Sequence, residues 1–315
     1  MSKNLVFHCE LPSDISVDPQ GLQGARLRAA LETSSTRLMQ GAWPLMRPTV
    51  GVSWQAGAQG HYHTAPEMFV QLTGWTHFTF PDGECLLQPG QVLLLPAYVQ
   101  HQERVGGGGA EPFSNLVLYA ERERLSVHLA GERGAGVPEV RHLEFRHGAA
   151  CGAVMQWLQQ ASQMAPSLSS DSGSDWVKAE QRRAAALAAA ALTSVWQMLS
   201  HPDANAGGDS PLVAKVRLWV KNQLGDTSLS VQGLAMQAEC SADHLSQRFR
   251  QETGEYLVAY ITRLRMERAC HLLQHTNLAV KEVAWACGYS RSGYFIQAFR
   301  RVWGLTPRCW REGLA

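Results

Sequence analysis

The chain has 315 residues, 45% of them hydrophobic, which leaves room for two domains with ordinary globular cores. A net charge of +1 hides a division: residues 1–211 carry 14 Lys+Arg against 19 Asp+Glu, net −5, whereas 212–315 carry 14 against 8, net +6. No signal peptide or apolar run of membrane-spanning length stands out, and seven cysteines without a C-x-x-C pair argue against a disulfide framework or a thiolate zinc site. A reducing, cytoplasmic setting without a membrane partner is the expectation.

In chain order, Leu22 to Leu38 reads as a helix with Leu27, Ala30, Leu31 and Leu38 on one side, ended by Pro44 and Pro48. From Val50 the pattern turns to short β-rich runs: VGVSW, EMFVQL, WTHFTF, ECLLQ, QVLLLP and FSNLVLY. Turn residues separate them at Gly57–Gly60, Gly74, Pro81-Asp82-Gly83, Pro89-Gly90 and Gly106–Gly109. Strands at this spacing suggest a sandwich or barrel.

Within this region lie HYHTAPE and, further on, GQVLLLPAYVQH. Period-2 spacing puts His61 and His63 on one face of a strand. His61, His63, Glu67 and His101 resemble the four metal-binding positions of cupins, and Tyr98 stands where that pattern usually has Gly. Three imidazoles and a carboxylate suit one divalent metal (Zn, Ni, Fe or Mn). The other reading is a metal-free polar pocket. Trp54, Trp75, Phe78 and Tyr98 line such a pocket or pack in the core.

Two helical segments follow, 147–162 and 175–200, with a break at Ser167–Ser174. Trp176, Leu187, Ala191, Val195, Met198 and Leu199 form either a dimer seam or an internal packing face. HPDANAGGDSP, residues 201–211, reads as a linker. A helix over 212–224 opens the C-terminal part.

The most informative stretch is 227–307, where a unit is built twice. Leu229, Val231, Leu234, Ala235 and Ala238 recur 49 residues later as Leu278, Val280, Val283, Ala284 and Cys287. After one inserted residue, Leu245, Phe249 and Gly254 recur as Phe295, Phe299 and Gly304. Each unit reads as helix, tight turn, helix, with Leu245 and Phe249 one turn apart and facing the first helix. Ser241 is the expected N-cap of the second helix of unit one, and Gly288 suits a turn that needs φ > 0. Ala279, at the start of the second unit, lacks a capping hydroxyl. Between the units a helix over 256–274 has an apolar stripe of Leu257, Tyr260, Ile261, Leu264, Leu272 and Leu273. The polar faces present Asp243, Ser246, Gln247 and Arg250 in unit one, and Gly293, Ile296, Gln297, Arg300 and Arg301 in unit two. Gln suits bidentate readout of adenine in a major groove, and Arg suits phosphate.

The motifs L-S-Q-R-F-R-Q-E-T-G, V-A-W-A-C-G-Y, Y-F-I-Q-A-F-R-R and G-L-T-P resemble the DNA-binding domain of AraC/XylS-family transcription regulators, over about 100 residues. The departures are Gln247 and Gln297, where the family often has Arg. The resemblance implies an α+β chain in two parts. The first, 1–204, is a cupin-like sensor and dimerisation domain. The second, 210–315, is all-α with two helix-turn-helix units reading successive major grooves of double-stranded DNA. It implies a homodimer, control by a small-molecule or metal effector, an activator more often than a repressor, and RNA polymerase as a further partner. The rival is a metal-dependent cupin enzyme, a dioxygenase or isomerase, with an appended helical domain; its whole support is His61, His63, Glu67 and His101. The duplicated units and basic C-terminal third favour a regulator that is not an enzyme.

Overall fold

A computed structural model describes residues 21–48, 61–108, 112–134, 136–164, 175–200 and 209–313. The expected strand at 50–54 with Trp54, the turn Gly57–Gly60 and the linker residues 201–208 lie outside these residues. The β-rich part holds β1 (Leu45–Met46), β2 (Glu67–Thr73), β3 (Trp75–Phe80), β4 (Gly83–Leu87), β5 (Val92–Leu95), β6 (Gln102–Gly106), β7 (Ser114–Ala120), β8 (Arg124–Gly134) and β9 (Val137–His147). They form a six-stranded sheet in the order β1-β5-β2-β7-β8-β9 and a three-stranded sheet in the order β4-β3-β6.

Both faces of the six-stranded sheet are covered, which is why its central strands read as unbroken apolar runs. Phe69, Leu93, Leu95 and Val117 meet Phe78, Phe80 and Leu87 of the smaller sheet. On the opposite face Met68, Val70, Val92, Leu94, Leu116 and Leu118 pack under three helices, α1 (Leu22–Met39), α2 (Ala149–Met164) and α3 (Asp175–Ser200). Ala184, Ala188, Ala189 and Ala191 let α3 approach its neighbours closely, and all four are buried in this core.

That packing decides the two-way reading of α3. Ala191, Val195 and Leu199 are buried within the chain's own core, and Leu187 and Met198 lean on it, so these five are not a free dimer seam. Trp176 stays 70% exposed.

The C-terminal part is helical: α4 (Pro211–Asn222), α5 (Val231–Gln237), α6 (Ala242–Thr253), α7 (Leu257–His275), α8 (Val280–Ala286), α9 (Ser292–Trp303) and α10 (Pro307–Arg311). Its apolar side chains divide into two cores. One joins α4, α5, α6 and the first half of α7 through Trp219, Leu234, Phe249, Leu257, Tyr260 and Leu264. The other joins the second half of α7 to α8 and α9 through Met266, Leu272, Leu273, Val283, Phe295 and Phe299. The stripe on α7 is thus split between the units, and the helix acts as their spacer. Val140 and Leu143 of β9 enter the first core beside Val213 and Val216 of α4, so the helical part sits against the sheet.

Candidate functional site

Each repeated unit is a helix, a turn and a second helix whose hidden face is fixed by two aromatic or aliphatic anchors. Leu245 and Phe249 of α6, and Phe295 and Phe299 of α9, are wholly buried. Ala235 and Ala284 keep the facing helices close. Ser241 caps α6 as expected, its hydroxyl accepting from His244 N–H at 3.2 Å. At the start of α8, Ala279 cannot accept a bond, but Glu282 reaches back to its N–H at 2.7 Å, so half of a capping box survives.

The turns show how the repeat tolerates different residues. Gly288 has φ 76°, and a Cβ there would meet Arg265 and the Leu224 carbonyl. The matching position in unit one is Glu239, which holds φ 54° without the freedom of glycine. Gly254 and Gly304 close α6 and α9 at φ 73° and 76°.

With the buried faces fixed, the other faces are open. Asp243, Gln247 and Arg250 on α6, and Gly293, Gln297, Arg300 and Arg301 on α9, are exposed. Ser246 is half-buried. Ile296 is half-buried too and packs on the second core, so it contributes more to packing than to an outward face. Arg250 lies over the Tyr256 ring at 4.2 Å, which stiffens the guanidinium. Two members of these faces escaped the sequence reading: His244 and Tyr294, at matching repeat positions and both exposed. The repeat register itself was the signal that could have found them.

The second candidate site is the histidine cluster. His61, His63 and His101 place ring nitrogens within 4.8 Å of one another. A bridge between His61 and His101 brings the two chain segments together. Glu67 Oε2 lies 3.3 Å from His63 Nε2 and 3.7 Å from His101 Nε2, so all four expected residues meet. Glu103 joins them, 3.8 Å from His101 Nε2. It stands two residues past His101, and period-2 spacing along β6 could have found it.

His101 Nδ1 lies 2.9 Å from the Val99 carbonyl, an atom that only accepts; the ring therefore donates there and turns Nε2 inward as a bare acceptor. That Nε2 and Glu67 Oε2 are buried without hydrogen-bond partners. Burial holds His61 and His63 well below the ordinary imidazole range, with neighbouring imidazoles and the charge of Arg268 adding to it. Burial likewise pushes His101 down to about 4, lifts Glu67 well above the usual carboxylate range and raises Glu103 to about 7. The cluster therefore presents neutral nitrogen donors, the form that binds a metal.

Residues beside the histidine cluster touch the helical part. Tyr62, between the first two histidines, lies under Arg268 of α7, 3.6 Å from guanidinium carbon to ring centroid. Tyr98 donates its N–H to the His63 carbonyl at 2.7 Å and stacks on His271 of α7. Tyr98 keeps φ 68°, so the departure from Gly is held in a left-handed backbone by these contacts. Lys221 of α4 pairs with Glu121 at 3.1 Å and lies over Tyr119, which touches the His63 ring. Asp209, expected to be in a loose linker, bonds His147 at 2.9 Å and pairs with the buried Arg217. Burial alone would raise the Asp209 carboxyl, but His147 and Arg217 outweigh it and hold it low. None of these contacts covers the exposed faces of α6 or α9.

Comparison with known proteins matches residues 234–313 to a family model described as a helix-turn-helix domain. The chain is 46% identical over 76 residues to the HTH-type transcriptional activator RhaR of Enterobacter sp. (strain 638), a stretch covering 24% of this chain and 27% of that protein. It is 34% identical over 110 residues to RhaR of Salmonella dublin, covering 35% and 39%. The chain thus spans well under half the length of these relatives. Among solved structures, the DNA-binding domain of AdpA in complex with a target DNA is 30% identical, covering 33% of this chain and 93% of that one, with a TM-score of 0.32. The C-terminal domain of AraT from Geobacillus stearothermophilus is also 30% identical, covering 33% and 87%, with a TM-score of 0.33.

Proposed function

We propose that this chain, whose C-terminal region is a helix-turn-helix domain of the AraC/XylS type, is a transcription regulator controlled by a small molecule or metal. The observation that carries this is the duplicated unit: two helices, each anchored by buried side chains, present open polar faces on the basic part of the chain. Helix α7, 19 residues or about 28 Å long, spans a distance close to one turn of DNA, about 34 Å. That supports successive major grooves as the target. Gln247 and Gln297 are the base-reading residues, with Asp243 and Ser246 assisting; Arg250, Arg300 and Arg301 hold phosphates.

The β-rich part, 1–204, is read as a cupin-like sensor and 210–315 as the DNA-binding domain. The donor set fits one divalent metal held by His61, His63, His101 and Glu67, which would supply a Lewis-acid anchor for an effector oxygen. Without metal the same groups line a polar effector pocket. Occupancy acts through the contacts of Tyr62, Tyr98 and Tyr119 with α4 and α7, and controls the helical part to the extent that ligand binds its two arrangements unequally. No helix among the described residues is long and apolar enough to cross a membrane, and the reading places the protein in the cytoplasm, as a homodimer on DNA with RNA polymerase as partner. A metal-dependent enzyme, the rival reading, leaves the duplicated units without a role.

The test is DNA binding by the full chain as a function of salt. Gln247→Ala should cost about 1–3 kcal/mol and relax preference at one position, whereas Arg300→Ala should weaken all sequences alike and lower the salt slope by about one. Loss of neither property in either variant would remove the assignment.

A further inference from the structure

Two carboxylates reach the histidine cluster, each beside a different pair of imidazoles. Glu67, at the start of β2, lies 3.3 Å from His63 Nε2 and 3.7 Å from His101 Nε2. Glu103, in β6, lies 3.8 Å from His101 Nε2 and 4.0 Å from His61 Nε2. His101 is thus shared by both acids, and its Nε2 is a bare acceptor because Nδ1 donates to the Val99 carbonyl. Among the described residues, Glu103 has no lysine or arginine within ion-pair distance; its partners are the two imidazoles. Two residues apart, His101 and Glu103 share one side of the strand, while Arg104 is exposed.

Acceptors therefore face acceptors around His101, and a positive species is needed to join them. A proton does not serve, since separations of 3.7 and 3.8 Å are too long for a hydrogen bond. Consistent with that, His101 Nε2 and Glu67 Oε2 are buried without hydrogen-bond partners. A shared metal ion fits the spacing. Donors held at about 2.1 Å by one ion stand about 3.0 Å apart at a right angle, about 3.4 Å at a tetrahedral angle and about 4.2 Å when opposite. The four histidine–carboxylate separations, 3.3, 3.7, 3.8 and 4.0 Å, all fall inside that range.

We propose that Glu103 is a fifth protein donor, so that one divalent ion is held by three imidazoles and two carboxylates. This rests on reading the cluster as a metal site. Four donors complete the tetrahedron that zinc favours. A fifth, carboxylate donor selects for an ion that takes five or six ligands and suits oxygen, such as manganese(II). Two carboxylates match the charge of a divalent ion, and a six-coordinate ion then keeps a single position for an effector atom.

The experiment titrates tag-free, metal-free full chain with cobalt(II), manganese(II) and zinc(II), as wild type, Glu103→Gln and His63→Ala. Expected in wild type is cobalt uptake with the weak visible bands of a five- or six-coordinate ion. Glu103→Gln should bind manganese about tenfold or more weakly, lose less for zinc, and show stronger cobalt bands as the coordination number falls. His63→Ala should lose cobalt uptake. Without metal, Glu103→Gln should melt no lower than wild type, because the carboxylate it removes has no cation or hydrogen-bond donor to lose. Unchanged manganese affinity in Glu103→Gln, strong four-coordinate bands already in wild type, or a sharply lowered melting point of that variant would each overturn the proposal while leaving the His63-dependent metal site standing. No cobalt uptake by wild type would overturn it together with the metal reading. DNA retention in the same preparations reports separately on the regulator reading.

Discussion

Lys221→Met tests whether the helical part is fastened to the sheet by a buried ion pair. Lys221 Nζ lies 3.1 Å from Glu121 Oε1 and 3.8 Å above the Tyr119 ring. At an effective dielectric near 20 that separation is worth about 5 kcal/mol of attraction before desolvation. Removing the lysine leaves Glu121 with the Tyr119 hydroxyl at 3.3 Å and a quarter of its side chain in solvent. The expected loss is therefore about 3 kcal/mol, at the lower end for a broken buried pair. Urea denaturation followed by tryptophan fluorescence is the assay, since buried Trp219 lies on the same helix. The double variant Lys221→Met/Glu121→Gln should recover more than half of the loss, because no charge is then stranded. Burial pushes the Glu121 carboxyl up, but Lys221 outweighs it and holds it below its ordinary 4.5. The stabilisation is thus present above pH 4.5 and lost as pH falls through the lower folded value, so wild type and Lys221→Met should converge in acid. A loss under about 1 kcal/mol at pH 7, or a double variant no better than the single, would refute the reasoning.

Glu239→Gly should stabilise by about 1 kcal/mol in urea midpoint, because it relieves φ 54° at a non-glycine, and no gain would mean that the turn is unstrained. Gly288→Ala should cost about 2 kcal/mol or more, since its Cβ would press on Arg265 and the Leu224 carbonyl. Ala279→Ser should add about 0.5–1 kcal/mol by supplying the missing half of the capping box beside Glu282, measured the same way. Glu103→Gln should change the pH profile: burial raises Glu103 to about 7, so its neutral form favours folding below pH 4.5 and that benefit is lost as pH rises through 7. The variant should be more stable than wild type at pH 8 and equal at pH 4, by thermal melting of metal-free protein; an unchanged profile would contradict the burial of that carboxyl.

The helices of the C-terminal part were legible because one pattern is written twice, so turn and anchor residues check each other. Gly288, Ser241 and the α7 stripe behave as their positions demand. The central strands were legible because the six-stranded sheet is covered on both faces and reads as apolar runs. Strands β8 and β9 were missed because the region between Ala120 and His147 breaks its apolar positions with Arg, Glu and His, several of which pair with one another, as His142 and Arg146 do with Glu144. Histidine spacing pointed to the cluster, and the same period-2 spacing carried on from His101 reaches Glu103, but the cations of α4 and α7 come near it only through tertiary packing. The α3 seam was ambiguous for the same reason: an alanine-rich stripe serves a partner chain or its own core equally well, and here α1 and α2 occupy it.

The most direct measurement is a base-protection footprint of the full chain on a DNA site selected from a random pool. The expected result is two patches of major-groove protection on one face of the duplex, one helical turn or about 10 base pairs apart, with Gln247→Ala losing one patch and Gln297→Ala the other. A single patch unaffected by Gln297→Ala, or no site enriched over random sequence, would contradict reading by two helices.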